Sequence, residues 1–321
     1  MQAVQSSIVF RPQAVNELKW TLRVLYYKDE AAVRCLHAAR SHSWEVSAIM
    51  GDINYTWLEQ YARFSMSTPQ DAVYAASLAS LRDTEQARVM LTAYNEHLRA
   101  DSLQTAAVYF MHSVRGLLLG IHYMNAMCDR VLDISLDNIQ LHLVVKDGYP
   151  AFLFQLIDRT ERAHPAPPNE GGHDSNETAS AARQVMLTSY YREQLRPLIE
   201  GVAMAGEANT GQMWAQLASI LRWFKTLATQ MDITDHEREA VVQGYEHVIT
   251  MSPDILGLRK NLLKFKPVEI DSPYQPGEKT LMKSTCCLHY KVYGGQDYCY
   301  TCPKLSKAER QMRYEAILAS R

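Results

Sequence analysis

The sequence predicts a mainly α protein with a small β-hairpin, an α+β chain whose helical body is followed by a C-terminal cysteine-bearing segment. Three observations carry this reading. Long stretches on both sides of the middle of the chain repeat apolar residues at three- and four-residue spacing, the period of a helix. One Asp147-Gly148 step separates two apolar, strand-like runs, and Asp-Gly between such runs is a strong hairpin signal. Four of the six cysteines crowd into residues 286–302.

The elements follow in order. Residues 15–27 and 31–40 are expected as helices. Thr68-Pro69-Gln70-Asp71 reads as a helix start, with the threonine capping and the proline at the first helical position, where its missing N–H is harmless. Helical pattern then runs over 72–80, 84–99 and 102–128. The last run is the longest and most apolar, which makes it the expected central helix, capped by Asp101-Ser102. At Asn138 the period changes. Residues 138–145 read as a strand, 146–149 as a turn and 150–157 as the returning strand. The polar, Pro- and Gly-rich stretch 164–178 reads as a surface loop. Helices are expected again over 179–205, 210–231 and 234–251, the last opened by a capping-box pattern at Thr234 and Glu237. A short helix over 252–263, an extended linker over 266–285 and a closing helix over 306–320 complete the chain. The expected division is an N-terminal helical region over 1–100, a helical and hairpin body over 101–265, and a C-terminal segment over 266–321.

Composition narrows the function. The hydrophobic fraction of 47% is that of a globular protein. A net charge of -2 argues against a general nucleic-acid binder. The run 106–127 is the nearest to a membrane span, but His112, Arg115, His122 and Asn125 interrupt it, so no transmembrane segment is expected. The first fifteen residues show neither a basic region nor an apolar core, so no secretory signal is expected and the cytoplasm is the expected compartment. Charge is uneven along the chain. Residues 256–321 hold 12 Lys and Arg against 6 Asp and Glu, and the same basic end carries the cysteine group.

That group is Cys286-Cys287, eleven intervening residues, then Cys299-Tyr300-Thr301-Cys302-Pro303. Three readings of the residues compete. Two disulfides would need an oxidising compartment. A four-thiolate zinc site would use Cys299 and Cys302 as an ordinary half-site, but the adjacent Cys286 and Cys287 point their side chains apart, which strains a single tetrahedral centre. A 2Fe–2S cluster also needs four thiolates but spreads them over two irons, which eases that demand. Gly294-Gly295 lets the intervening loop fold back, and Pro303 limits fraying after the last cysteine. Lys283, Lys291, Lys304 and Lys307 are placed to offset a negative cluster, or form only a solvated surface. Tyr290, Tyr293, Tyr298 and Tyr300 supply apolar bodies to cover it.

The segment resembles the C-terminal signature of FhuF-type ferric siderophore reductases: an adjacent cysteine pair, a tyrosine three residues after it (here Tyr290), and a closing Cys-x-x-Cys-Pro. Family members typically have ten residues between the pairs; this chain has eleven. A second resemblance lies upstream. The body of such proteins is similar to the C-terminal region of aerobactin-synthase-type siderophore synthetases. Asp137-Asn138, Gly148-Tyr149-Pro150 and Ile157-Asp158 stand where those enzymes carry His-x-Gln-Asn, a Gly-x-Pro turn and Arg-Asp. Asp137 and Ile157 depart from that pattern, which argues against ligase chemistry. Together the two likenesses cover residues 103–303.

The resemblance implies a 2Fe–2S cluster held by Cys286, Cys287, Cys299 and Cys302, making the tail an iron–sulfur segment. It implies a ferric-siderophore reductase passing one electron to chelated Fe(III) and releasing Fe(II), fed by an external reductase or ferredoxin, at most peripheral to a siderophore importer. Arg259, Lys260, Lys264 and Lys266 are the candidate residues for attracting an anionic chelate. The rival from another class is a zinc-stapled protein that binds or escorts a siderophore without redox chemistry. Cys35 and Cys128 read as small buried hydrophobes. His289, two residues after Cys287, reads as a solvated loop residue or one able to tune the cluster by a hydrogen bond. No phosphate-binding glycine loop or hydrolase signature is present.

Overall fold

The structure is a computed structural model, which describes residues 51–319 apart from 165–174, 229, 230, 232, 276, 294 and 296. The expected helices over 15–27 and 31–40, and Cys35, lie outside the described residues. The fold is mainly helical with small sheets, as the sequence predicts.

One helix organises the rest. Helix α1 spans Tyr55–Tyr61, α2 spans Thr84–Leu98 and α3 spans Leu103–Met127. The N-cap of α2 is Asp83, whose carboxylate accepts from the N–H groups of Glu85 and Gln86; that of α3 is Ser102, accepting from Thr105 N. From Thr105 on, nearly every side chain of α3 is buried, because neighbours pack around its whole circumference. At about 1.5 Å per residue it runs roughly 37 Å through the body. Among the described residues, no helix is long and apolar enough to cross a membrane.

The main sheet has four strands: β1 (Phe64–Ser65), β2 (Ala72–Ser77), β4 (Ile139–Lys146) and β5 (Tyr149–Leu156), in the order β1-β5-β4-β2. Strands β4 and β5 form the expected hairpin. Asp147 and Gly148 both take positive φ, 52° and 78°, which is what a two-residue turn matched to strand twist requires. The register pairs Ile139 with Leu156, Leu141 with Phe154 and Leu143 with Phe152, so all six buried apolar side chains share one face. That face meets the helices: the Phe152 ring lies 4.7 Å from Tyr94 of α2 and 5.1 Å from Phe110 of α3. Such aromatic pairs add roughly 0.5–1.5 kcal/mol each beyond their burial. Short pairs β3 (Arg130–Val131) with β6 (Arg162–Ala163), and β7 (Glu269–Asp271) with β8 (Lys279–Leu281), lie apart from this sheet.

Several expectations need correction. The stretch 72–80 is not a helix. Its first part is strand β2, antiparallel to β4, followed by a 3₁₀ turn over Leu78–Arg82. The alanines made it look helical, but the open edge of the hairpin captures it, with an irregular register between Ala72 and Tyr74. Thr68 accordingly caps nothing; its hydroxyl accepts from Gln155 Nε2 of β5 at 2.8 Å. The single helix over 179–205 is instead α4 (Ser175–Ser189), a π turn (Tyr190–Leu195) and α5 (Arg196–Ala205). Pro197 has no N–H to donate back, and its ring crowds the carbonyl of Glu193, so the turn before it widens.

Helix α6 spans Thr210–Ala228 and α7 spans Asp235–Thr250, the latter with the expected capping box at Thr234 and Glu237. After α7 only Pro253–Leu256 is helical, as a 3₁₀ turn. The following chain is used differently: Asn261 Nδ2 donates to the carbonyls of Val248 and Met251 and so closes the end of α7. The expected linker over 266–285 contains the β7–β8 hairpin. Helix α8 (Lys307–Ala319) closes the chain, with Ser306 and Glu309 satisfying each other's N–H groups.

Candidate metal centre

The C-terminal cysteines are carried on irregular chain, so neighbouring elements must fix their positions. Helix α6 holds the first pair. Gln212 Nε2 donates to the Cys286 carbonyl at 2.9 Å. Ser284 donates from its hydroxyl to the Ala215 carbonyl and from its N–H to Ser219 Oγ at 3.4 Å. Gln212, Ala215 and Ser219 recur every three to four residues, so they present one face of α6 to the segment. Helix α8 holds the second pair. Arg310 donates to the carbonyls of Tyr300, Cys302 and Leu305, stapling the loop that carries Cys299 and Cys302. The two halves join through Lys283 N–H to the Thr301 carbonyl, 2.9 Å.

The connecting loop docks on the body at the α2–α3 junction. Asp101 N–H donates to the Lys291 carbonyl at 3.0 Å and Tyr293 N–H to the Arg99 carbonyl at 3.2 Å. Asp101 and Lys291 add a surface ion pair at 2.8 Å, which holds the Asp101 carboxyl below the usual carboxylate range. Tyr109 of α3 and His289 share a hydrogen bond of 3.1 Å. Gly295 folds back so closely that a Cβ there would stand 2.0 Å from the His289 carbonyl oxygen.

Within this frame Cys286, Cys287 and Cys302 are buried and Cys299 is partly exposed; all four are free thiols. They meet as pairs. Cys302 hydrogen-bonds to Cys286, which draws the Cys286 thiol down to about 7 and raises that of Cys302. The Cys287 thiol is raised, first by its hydrogen bond with Cys299 and then by burial. Nitrogen donors reach the second pair: Lys283 Nζ donates to Cys299 Sγ at 3.3 Å, and His112 of α3 is hydrogen-bonded with Cys287. Burial lowers the His112 imidazole to about 4, so it is neutral at ordinary pH. Among the described residues, no group of three or more His, Cys, Asp or Glu is set to hold one metal ion. Two thiol pairs bridged by a Cys299–Cys302 contact fit a donor set shared between two metals.

Two family profiles match the chain. One, described as ferric iron reductase FhuF-like transporter, covers residues 108–266. The other, described as FhuF 2Fe-2S C-terminal domain, covers residues 284–304. The chain belongs to the FhuF-like family. Its cofactor is a 2Fe–2S cluster, and the FhuF-type C-terminal match encloses all four cysteines. No curated protein matches the chain.

The other expected residues of this FhuF-like chain scatter. Of the four lysines, Lys283 touches a cysteine sulfur and the charge of Lys304 is felt at Cys286, whereas Lys291 is engaged with Asp101. Tyr290 and Tyr298 pack together at 4.6 Å, and buried Tyr300 donates to the Asp271 carbonyl at 2.6 Å. Tyr293 does not cover the cysteines: it is 68% exposed, with the Arg99 guanidinium 3.7 Å from its ring centroid. Arg259, Lys260, Lys264 and Lys266 are all exposed. Cys128 is buried as expected, its thiol pushed up to about 12 by burial.

Asn138, the residue shared with the synthetase-like pattern, is built into the scaffold. Its amide donates to the carbonyls of Asp133 and Asp158 at 2.7 and 2.8 Å and accepts from Asp158 N–H at 2.8 Å. His112, Tyr109, Gln212 and Arg310 escape a reading by spacing. Their one signal is polarity: His112 interrupts an apolar helix.

Proposed function

We propose that this chain is a ferric-siderophore reductase of the cytoplasm, in which Cys286, Cys287, Cys299 and Cys302 hold the 2Fe–2S cluster. The observation that carries the reading is the meeting of these four free thiols in two pairs inside the FhuF-type segment. When bound, the cluster supplies a one-electron carrier.

The substrate chemistry suits one electron. Ferric iron is a hard cation that hydroxamate, catecholate or carboxylate oxygens hold tightly. Ferrous iron carries less charge and is held less firmly, so reduction of the chelated iron releases it. The thiols bind as thiolates, which metal binding enforces. Lys283 offsets part of their negative charge. Tyr290, Tyr298 and Tyr300 give the segment an apolar cover, which lowers local polarity. The exposed Arg259, Lys260, Lys264 and Lys266 attract an anionic chelate toward the basic end of the chain. An external one-electron donor, a reductase or ferredoxin, refills the carrier, and the protein works beside a siderophore importer.

The test is anaerobic metal and sulfide analysis of freshly purified protein, followed by turnover with a ferric chelate and a ferrous trap. Reddish-brown protein that bleaches with dithionite and releases Fe(II) is expected. Colourless protein with about one zinc per chain would overturn the reading. Charge reversal at Arg259, Lys260, Lys264 and Lys266 is expected to raise KM for an anionic chelate and leave kcat unchanged. An unaltered KM removes these residues from substrate binding.

A further inference from the structure

The two thiol pairs stand in different electrostatic surroundings. Cys286 and Cys302 receive backbone N–H groups, from Leu288 and Lys304, and Cys286 feels the Lys304 charge from an exposed side chain. Cys287 and Cys299 receive side-chain donors: Lys283 Nζ at 3.3 Å from Cys299 Sγ, and the half-buried His112 on Cys287. Hydrogen bonds from an ionised donor are roughly twice as strong as neutral ones. The Lys283 ammonium therefore stabilises added negative charge at this pair more than neutral amides do at the other. Cys299 is also the one partly exposed thiol of the four, so this pair faces the side from which an electron partner can approach.

A pair of sulfide-bridged ferric irons that gains one electron gains one negative charge. Donors to the sulfurs decide where it is best tolerated. We infer that Lys283 and His112 make the iron held by Cys287 and Cys299 the one that is reduced. One Fe(III) becomes Fe(II), the electron comes from a one-electron donor, and no bond is made or broken. The inference rests on the four-cysteine ligand set proposed above. Both residues act through the sulfurs and are positioning residues, not catalytic ones.

The experiment measures the midpoint potential and the electron paramagnetic resonance spectrum of the dithionite-reduced, full-length protein. The variants are Lys283→Met, His112→Leu and, as the control beside the other pair, Lys304→Met. Lys283→Met and His112→Leu are each expected to lower the equilibrium constant for reduction about tenfold, equivalent to about 59 mV for one electron, and to shift the g-values. Lys304→Met is expected to change both much less. Lys283→Arg and His112→Gln, which keep a donor, are expected to recover most of the loss. Lys283 is partly exposed, so its variants test the inference even where His112→Leu disturbs the core. Shifts at Lys283 and His112 no larger than at Lys304 overturn the assignment and leave the ligand set standing. Wild-type protein without iron and sulfide overturns both.

Discussion

The guanidinium of Arg310 donates to the carbonyl oxygen of Cys302 across 3.0 Å, joining the last helix to the last cysteine. The same side chain reaches the carbonyls of Tyr300 and Leu305, so one planar fork satisfies three acceptors of a loop that has no ladder of its own. Lysine keeps the charge but not the fork. Arg310→Lys is expected to destabilise the C-terminal segment by about 2 kcal/mol, the scale of a lost charge-assisted bond. The check is the rate of visible bleaching under a chelator, which should rise several-fold while the far-ultraviolet circular dichroism of the body holds. An unchanged rate would show that the loop keeps its shape without Arg310.

The turn between the cysteine pairs depends on a missing side chain. A Cβ on Gly295 would stand 2.0 Å from the His289 carbonyl oxygen and 3.0 Å from that of Val292, and both obstacles are backbone. Gly295→Ala must therefore move the main chain next to the Tyr109–His289 hydrogen bond. Iron content per purified chain is expected to fall by more than half, with the rest of the protein still folded. Full iron content would mean that the loop between the cysteine pairs has slack here.

How much of this was legible in the sequence depends on whether the cause was local. The hairpin could be read because Asp147-Gly148 dictates its own turn and alternation dictates its face. The expected caps Ser102 and Thr234 act within three residues of themselves. Strand β2 could not be read, because its state is set by Gln140 to Val144, far away in sequence. The cysteines announced themselves by spacing, but their surroundings come from α3, α6 and α8, and His112 lies 175 positions before Cys287. The π turn could not be read either: the expected helix runs straight through Pro197, and nothing in the local pattern turns both Tyr190 and Tyr191 inward.

Asn138 separates scaffold from chemistry. Its side-chain amide is consumed by three backbone groups at 2.7–2.8 Å, which tie the start of β4 to the end of β5. Removing it strands buried peptide groups, each worth roughly 1–3 kcal/mol. Asn138→Ala is expected to lower unfolding stability by about 3 kcal/mol in denaturant titrations and to leave the visible spectrum and KM for the ferric chelate unchanged. A selective loss of turnover at full stability would return Asn138 to the site.

His122 gives the core a dependence on pH. It is buried on α3 with its Nε2 3.0 Å from the hydroxyl of buried Tyr191, and Phe224 of α6, Gly244 and His247 of α7 are its other neighbours. Burial first, and His247 second, lower its imidazole from 6.5 to about 3 in the folded chain. The unfolded chain thus takes up a proton as pH falls through 6.5, while the folded chain stays neutral until near 3. Stability from this residue is complete above 6.5 and is lost at about 1.4 kcal/mol per pH unit below it, about 2 kcal/mol by pH 5. His122→Gln keeps a partner for Tyr191 and cannot titrate. Urea unfolding between pH 7 and 5 is therefore expected to show a shallower pH slope in the variant, with a remainder from His112 and His247, whose imidazoles are also lowered chiefly by burial. Identical slopes in the two proteins would mean that His122 reaches water in the folded state.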